Sequence, residues 1–278
     1  MSTDRRGALA VVGLGPGAAS QLTPAARDAL VAAEVVVGYA TYLDLVALLI
    51  LGKEIVRGRM TGEIERARAA VRRAREGARV ALVSSGDAGV FGMASLALEV
   101  LRDEGWRRGD PPDLAVVPGI TALASCAALA GAPLGHDFCA ISLSDLLTPW
   151  EVIARRLEAA AAADFVVGLY NPASMRRRRP LAEARDILRR HRGGATPVAV
   201  VSDAYRDGAR AVLTDLDRLL DTEVGMTSTV IVGSTRSYAF EGYLVTPRGY
   251  GDKYAWDGAP REGERPGAPL AGGGGGVS

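Results

Sequence analysis

The sequence predicts an α/β protein made of two successive α/β units, and three observations carry that prediction. Short, continuously apolar runs alternate with longer segments of helical period, as in a sheet covered by helices on both faces. Three of the apolar runs in the first half end in turns rich in Gly and Pro: GLGPG at 13–17, SSGDAGVFG at 84–92 and VPGIT at 117–121. The alternation then restarts after Gly131-Ala132-Pro133-Leu134-Gly135.

The first unit is expected to fill 1–130, with strands at 8–12, 35–37, 54–57, 79–83 and 114–117. Thr23-Pro24 supplies a helix N-cap followed by proline at the first helical position. Thr61 opens an arginine-rich amphipathic run that closes at Gly77, and a further helix is expected at 92–104. Thr121 is placed to cap the helix after the third turn. The second unit is expected over 137–250, with strands at 138–142, 165–169, 197–201, 210–213 and 229–233 and helices near 149–162 and 180–191. The short step from 201 to 210 suits a hairpin, so this sheet should be mixed. Residues 251–278, rich in Gly, Pro and charge and ending near a run of five glycines, read as a disordered extension.

Gly13, Gly15 and Gly17 allow positive φ and close approach of a ligand to the backbone, while Pro16 fixes its own φ. The turn is neither a phosphate loop, which needs Gly-Lys-Ser/Thr, nor Gly-x-Gly-x-x-Gly. A dinucleotide site would want an acid closing the second strand, whereas Glu34 precedes it. Ligands of open parallel sheets bind beyond the strand C-termini, so three such turns predict one shared ligand cleft. Asp87 has two readings: a cap for the helix at 92–104, or a polar anchor in that cleft.

Composition narrows the function classes. A chain of 278 residues with 48% hydrophobic and 23% charged residues is globular, and a net charge of +1 offers no broad basic footprint for nucleic acid. Cys126 and Cys139 make no CxxC pair and only His136 and His191 are present, so no protein-held metal is expected. Both cysteines read as small core residues in a reducing compartment, hence a cytoplasmic protein. The greasiest stretch, 46–51, is far too short to span a membrane, and 8–12 is too short for a signal sequence.

Taken in order, GLGPG, SSGDAGVFG, VPGIT, GAPLGHDF, SLSDLLTPWEVI, YNP and TSTVIVGS resemble the tetrapyrrole methylases. VVGYATYLDLV, LGHDFCAISLSDLLTPWEVI and VTPRGY are most similar to the branch acting at C-17 of precorrin-3B in cobalamin synthesis. The resemblance covers most of 8–250. It implies two α/β domains with S-adenosylmethionine in the cleft between them, a precorrin substrate and a homodimer. Carried over by position, the cofactor would meet Pro16, Ser85, Gly86, Asp87, Val90, Thr121, Ala122, Tyr170, Ala204, Thr227 and Thr229. Ser202-Asp203 departs from the Arg-Asn common before the alanine in similar proteins, which weakens the carry-over at Ala204, and Ala88 stands where Pro is common.

Methyl transfer from a sulfonium is an in-line displacement, and holding donor and acceptor in line is worth roughly 7–11 kcal/mol. The C-17 reaction implied by the resemblance also contracts the ring to give precorrin-4: a bond migrates and hydroxyl-bearing C-20 leaves the framework as an acetyl group. Loss of the hydroxyl proton requires a base or a substrate carboxylate. His136, at the entry to the second unit, is the candidate base by type, or else orders the interdomain loop. Asp87 is the second candidate catalytic group, and Asp137 and Asp145 read as caps, loop anchors or further candidates. Gly15, Tyr39, Arg176 and Arg177 are the candidate substrate contacts. The run Arg176–Arg179 is either a solvated face or a basic flap for the carboxylates of the macrocycle, and Tyr39 and Tyr42 either pack on the flat substrate or serve ordinary amphipathic packing. Other readings are a methyltransferase for another precorrin, uroporphyrinogen, diphthamide, ribosomal RNA or a cobalt-containing analogue, a nicotinamide dehydrogenase, or a non-catalytic protein keeping the fold.

Overall fold

The computed structural model describes residues 6–173 and 179–270. The first sheet forms from β1 (Ala8–Gly13), β2 (Val35–Tyr39), β3 (Glu54–Gly58), β4 (Arg79–Ser84) and β5 (Asp113–Val117), in the order β3-β2-β4-β1-β5. All of its pairings are parallel. Alternate residues face opposite layers, which is why apolar runs were needed rather than apolar–polar alternation. Leu9, Val11, Val35, Val37, Val80 and Leu82 pack under α3 (Glu63–Arg75) and α4 (Met93–Asp103). Val12, Val36, Ala81 and Val83 pack under α1 (Pro24–Ala32) and α2 (Ala40–Asp44) with Leu30 and Leu43. At the start of α1, the Thr23 hydroxyl accepts from Ala26 N at 3.1 Å, as its sequence predicts.

The second sheet contains β7 (Phe138–Ser142), β8 (Val166–Tyr170), β9 (Pro197–Ser202), β10 (Arg210–Asp215) and β11 (Ser228–Val232). Its order is β10-β9-β11-β8-β7, parallel only between β7 and β8. The mixed sheet and its 201–210 hairpin are as expected. One face, with Val167, Leu169, Val198, Val200, Val230 and Val232, lies under α6 (Trp150–Ala162) and α7 (Arg179–Arg189).

The other face corrects the expected division of the chain. Helix α5 (Ala122–Ala130), counted with the first unit in the sequence, packs on the second sheet instead. Its Leu123, Cys126, Ala127 and Ala130 share a core with Val166, Ala199, Val201 and Ile231. Its mostly apolar sequence, ALASCAALA, fits a helix enclosed by a sheet, so in packing the boundary falls between β5 and α5.

A small third sheet, unforeseen, joins β6 (Gly131–Ala132) to the hairpin of β12 (Tyr238–Phe240) and β13 (Tyr243–Val245). Its turn, Glu241-Gly242, has both φ values positive (46° and 82°), the geometry of a tight two-residue hairpin. The segment beyond Tyr250, read as disordered, holds structure as far as residue 270. It contains α8 (Tyr250–Lys253), a bridge between Tyr254 and Pro260, and backbone bonds such as Arg261 N to Lys253 O at 2.9 Å.

Candidate functional site

The three glycine turns follow β1, β4 and β5, which are adjacent strands, so they emerge side by side at one end of the first sheet. Beyond the strands, Gly15 N donates to Gly86 O at 3.0 Å and Gly86 N to Gly15 O at 2.8 Å. Both residues have left-handed φ, 71° and 66°, which glycine adopts without strain. The third turn presses in as closely. A Cβ on Gly119 would lie 2.2 Å from Gly86 O and 2.7 Å from the Gly13 carbonyl carbon. Only bare backbone permits this convergence.

Asp87 locks it. One carboxylate oxygen accepts from Gly89 N at 2.7 Å within its own turn, and the other from Gly119 N at 3.0 Å in the third. The helix-cap reading is not what the structure adopts: the N-cap of α4 is Gly92, without a side-chain cap bond. Asp87 is thus an anchor between loops, with both oxygens engaged by N–H donors.

Thr121 occupies the N-cap position of α5 but makes no side-chain cap bond, contrary to expectation. Its hydroxyl pairs instead with the phenol of Tyr170 at 2.6 Å, and that phenol oxygen accepts from Leu123 N at 2.9 Å. A residue at the end of β8 therefore performs the capping. Burial pushes the Tyr170 phenol above its ordinary pKa, with the bonds to Thr121 and Leu123 opposing. The Tyr170 ring also lies 4.9 Å from Phe91, which with Val90 leaves an apolar surface exposed beside the second loop.

The turn after β9 completes the assembly. Ala204 is buried beneath α5, and the Ser202 hydroxyl pairs with that of Ser228 at 2.7 Å. Arg206 donates from Nε to Pro16 O at 2.6 Å and from its terminal nitrogen to the Ser85 hydroxyl at 3.2 Å. Sequence reasoning passed over Arg206 and Phe91. Their signal was proximity to a glycine turn and to Ala204, but nothing in the spacing told where either side chain would reach.

Of the remaining predicted positions, Pro16 and Gly15 are buried, while Ser85 and Ala122 are half-buried. Thr227 is exposed and its carbonyl accepts from Asp203 N at 3.4 Å. Thr229 is buried, and burial pushes the nearby Cys126 thiol upward in pKa, with Thr229 opposing. Tyr39 and Tyr42 meet edge to face at 5.2 Å, and burial raises the Tyr42 phenol against the lowering charge of Arg206.

His136 is not brought to the loops by any contact of its own. Its Nδ1 accepts from Asp137 N at 2.8 Å, and it lines a cavity of about 350 Å³ with Arg236, Arg248, Asp252 and Lys253. Neither that cavity nor one of about 480 Å³ beside β10 is lined by the glycine turns. Asp137 and Asp145 are both exposed. Arg176 and Arg177 lie outside the described residues.

The model of the tetrapyrrole (corrin/porphyrin) methylases matches residues 8–220. The chain belongs to this family. Among relatives of this tetrapyrrole methylase, the cobalt-factor III methyltransferase of Priestia megaterium is 48% identical over 90% of the chain, which spans only 46% of that relative's length. The probable cobalt-factor III C(17)-methyltransferase of Salmonella typhimurium is 47% identical over 87% of the chain and 99% of its own length. The precorrin-3B C(17)-methyltransferase of a Sinorhizobium species is 43% identical over 88% and 97%. Among solved structures, the methyltransferase CobJ superposes with a TM-score of 0.80 at 36% identity, covering 87% of this chain and all of that one. Uroporphyrin-III C-methyltransferase of Thermus thermophilus, solved with S-adenosylhomocysteine, gives 0.62 at 26% identity over 82% and 98%.

One structural neighbour was solved with S-adenosylhomocysteine, and the donor set of this site fits a group of that kind. Glycine backbone at three loops permits close approach, the Ser85 hydroxyl and the first turn of α5 supply polar partners, and exposed Val90 and Phe91 offer apolar surface to a flat base. Among the described residues no helix is long and apolar enough to cross a membrane.

Proposed function

We propose that this protein methylates C-17 of a precorrin, precorrin-3B, using S-adenosylmethionine, and contracts the ring to precorrin-4. The observation that carries the reading is the end-to-end match at 47% identity to a relative named for C(17) methylation. A cobalt-containing substrate is the second reading, because the relatives at 47–48% identity are named for cobalt-factor III.

S-adenosylmethionine, when bound, supplies a methyl group on a sulfonium centre. The chain's part is orientation. Pro16, Ser85, Gly86, Asp87, Val90, Thr121, Ala122, Tyr170, Ala204, Thr227 and Thr229 are the proposed cofactor surface, with Asp87 fixing loop positions by its carboxylate. Gly15 and Tyr39, together with Arg176 and Arg177, are proposed substrate contacts. The carboxylates of a precorrin favour arginine partners. His136 is the proposed base for the hydroxyl proton lost in contraction; a substrate carboxylate is the alternative. A homodimer in the cytoplasm belongs to the same proposal, and sedimentation at equilibrium measures the assembly directly.

The decisive experiment incubates the protein with methyl-labelled S-adenosylmethionine and either precorrin-3B or its cobalt-bearing counterpart. Mass spectrometry and carbon NMR should show one new methyl at C-17 and an acetyl group on a contracted ring. Turnover of another tetrapyrrole, with neither of these consumed, would reject the substrate assignment. His136→Ala should keep cofactor affinity and slow contraction by about 10²–10⁴-fold if His136 is the base, and a loss below about tenfold would remove it from that role.

A further inference from the structure

We propose that Arg206 is a positioning residue for the cofactor loops: reaching across from the second unit, its guanidinium holds the first and second glycine turns in their receptive geometry. The inference rests on the S-adenosylmethionine reading of the site. Its two acceptors, Pro16 O and the Ser85 hydroxyl, immediately adjoin Gly15 and Gly86, the pair that joins the two turns by reciprocal backbone bonds. Arg206 therefore closes a ring of contacts through Pro16, Gly15, Gly86 and Ser85. Among the described residues it makes the only side-chain hydrogen bonds from the second sheet's turns to these two loops.

The surrounding backbone is arranged to aim it. Asp203 and Tyr205 both take left-handed φ, 50° and 57°, a conformation aspartate tolerates but a bulky tyrosine adopts only when its surroundings hold it. Buried Ala204 and the bond from Arg206 N to Asp203 O at 2.8 Å supply that constraint. The stem of Arg206 then lies over Gly17, where a Cβ would come within 2.7 Å of Nε and 2.8 Å of Cγ. Glycine at 17 leaves the room the side chain occupies. A planar guanidinium can satisfy a carbonyl and a hydroxyl on different loops at once, whereas an ammonium cannot hold both in the same fixed fork.

Holding the loops before the ligand arrives removes an ordering cost from binding, so loss of the brace should appear as weakened affinity in a protein that still folds. The test compares the parent with Arg206→Met, which keeps the stem without donors, and Arg206→Lys. Hydrogen exchange at Gly15 and Gly86, whose amides carry the reciprocal bonds between the turns, should quicken at least about tenfold in the Met variant when measured without ligand. Calorimetric titration with S-adenosylhomocysteine should show dissociation constants raised about ten- to a hundredfold, and less in the Lys variant, with a cooperative melt retained. Affinity within twofold of the parent, or unchanged exchange at the loops, overturns the proposal. Should Arg206→Met not fold, the Lys variant carries both comparisons. A parent protein that fails to bind S-adenosylhomocysteine strikes the cofactor reading instead, and the ligand-free exchange comparison then decides the brace.

Discussion

Replacing Asp87 by Asn separates an anchor from a catalytic group. The substitution keeps the shape and one oxygen, which can still accept from Gly89 N or Gly119 N but not from both. The remaining backbone N–H then faces an amide NH₂, donor against donor. A hydrogen bond to a charged acceptor is worth about 1.5–3 kcal/mol. Asp87 is half-buried, so water can stand in partially, and a loss of about 2 kcal/mol follows. For a chain of this size that is a fall of roughly 4–8 °C in Tm. The third turn is the one released, since Gly119 N is tied to Asp87 across 32 residues while Gly89 N lies in the same turn. Affinity for S-adenosylhomocysteine should therefore weaken by about tenfold or more, in proportion to the stability lost. Differential scanning calorimetry and titration calorimetry on the purified variant measure both. A variant that melts within 1 °C of the parent and binds normally refutes the anchor, and a selective collapse of kcat in that variant would return Asp87 to a catalytic role.

Gly119→Ala should cost a similar stability but strike binding harder, because its Cβ would meet the Gly86 carbonyl oxygen at 2.2 Å and backbone cannot yield as a side-chain tip does; a loss of about 1–3 kcal/mol with abolished cofactor binding is expected by melting and titration. Alkaline pH should destabilise the fold through Tyr170, whose raised folded pKa makes its contribution complete below the ordinary tyrosine range and lost as pH rises through the folded value. Tyr170→Phe should flatten that loss in melts recorded from about pH 9 to 11, and an unchanged pH slope would exclude Tyr170 as its source. Arg192, whose side chain is wholly buried, donates to the carbonyls of Phe165 and Gly233. Arg192→Met should cost about 3 kcal/mol by denaturant titration, whereas a cost below about 1 kcal/mol would show that burial of the cation offsets its bonds.

Most strands of the two large sheets were legible because they are built on short apolar runs, and those of the first sheet were readable to within two residues of their ends. Convergence of the glycine turns was legible for the same reason: three turns after three parallel strands leave on one side of a sheet. What the residues hid was partnership at long range. Thr121 has the chemistry of a cap, but a phenol 49 residues away takes that duty. Arg206 reaches a carbonyl 190 residues back, and no local period encodes such a contact. Helix α5 falls within the first unit in the sequence reading but packs on the second sheet, because an apolar helix matches either sheet. The strands of the small hairpin are three residues each, too short for a period, although Glu241-Gly242 between aromatic residues was a readable turn signal.

The placement of α5 bears on how this chain can be divided. A fragment ending at Ala130 would carry a helix whose apolar side faces no sheet, and the complementary fragment would leave Ala199, Val201 and Ile231 open to water. Both pieces would be prone to association through those surfaces. A cut between Val117 and Thr121 would keep each sheet with its own helices, yet it would sever the third glycine turn itself. The connection that carries the third glycine turn is also where the chain passes from one sheet to the other, so the two units cannot be separated cleanly without dismantling the proposed site.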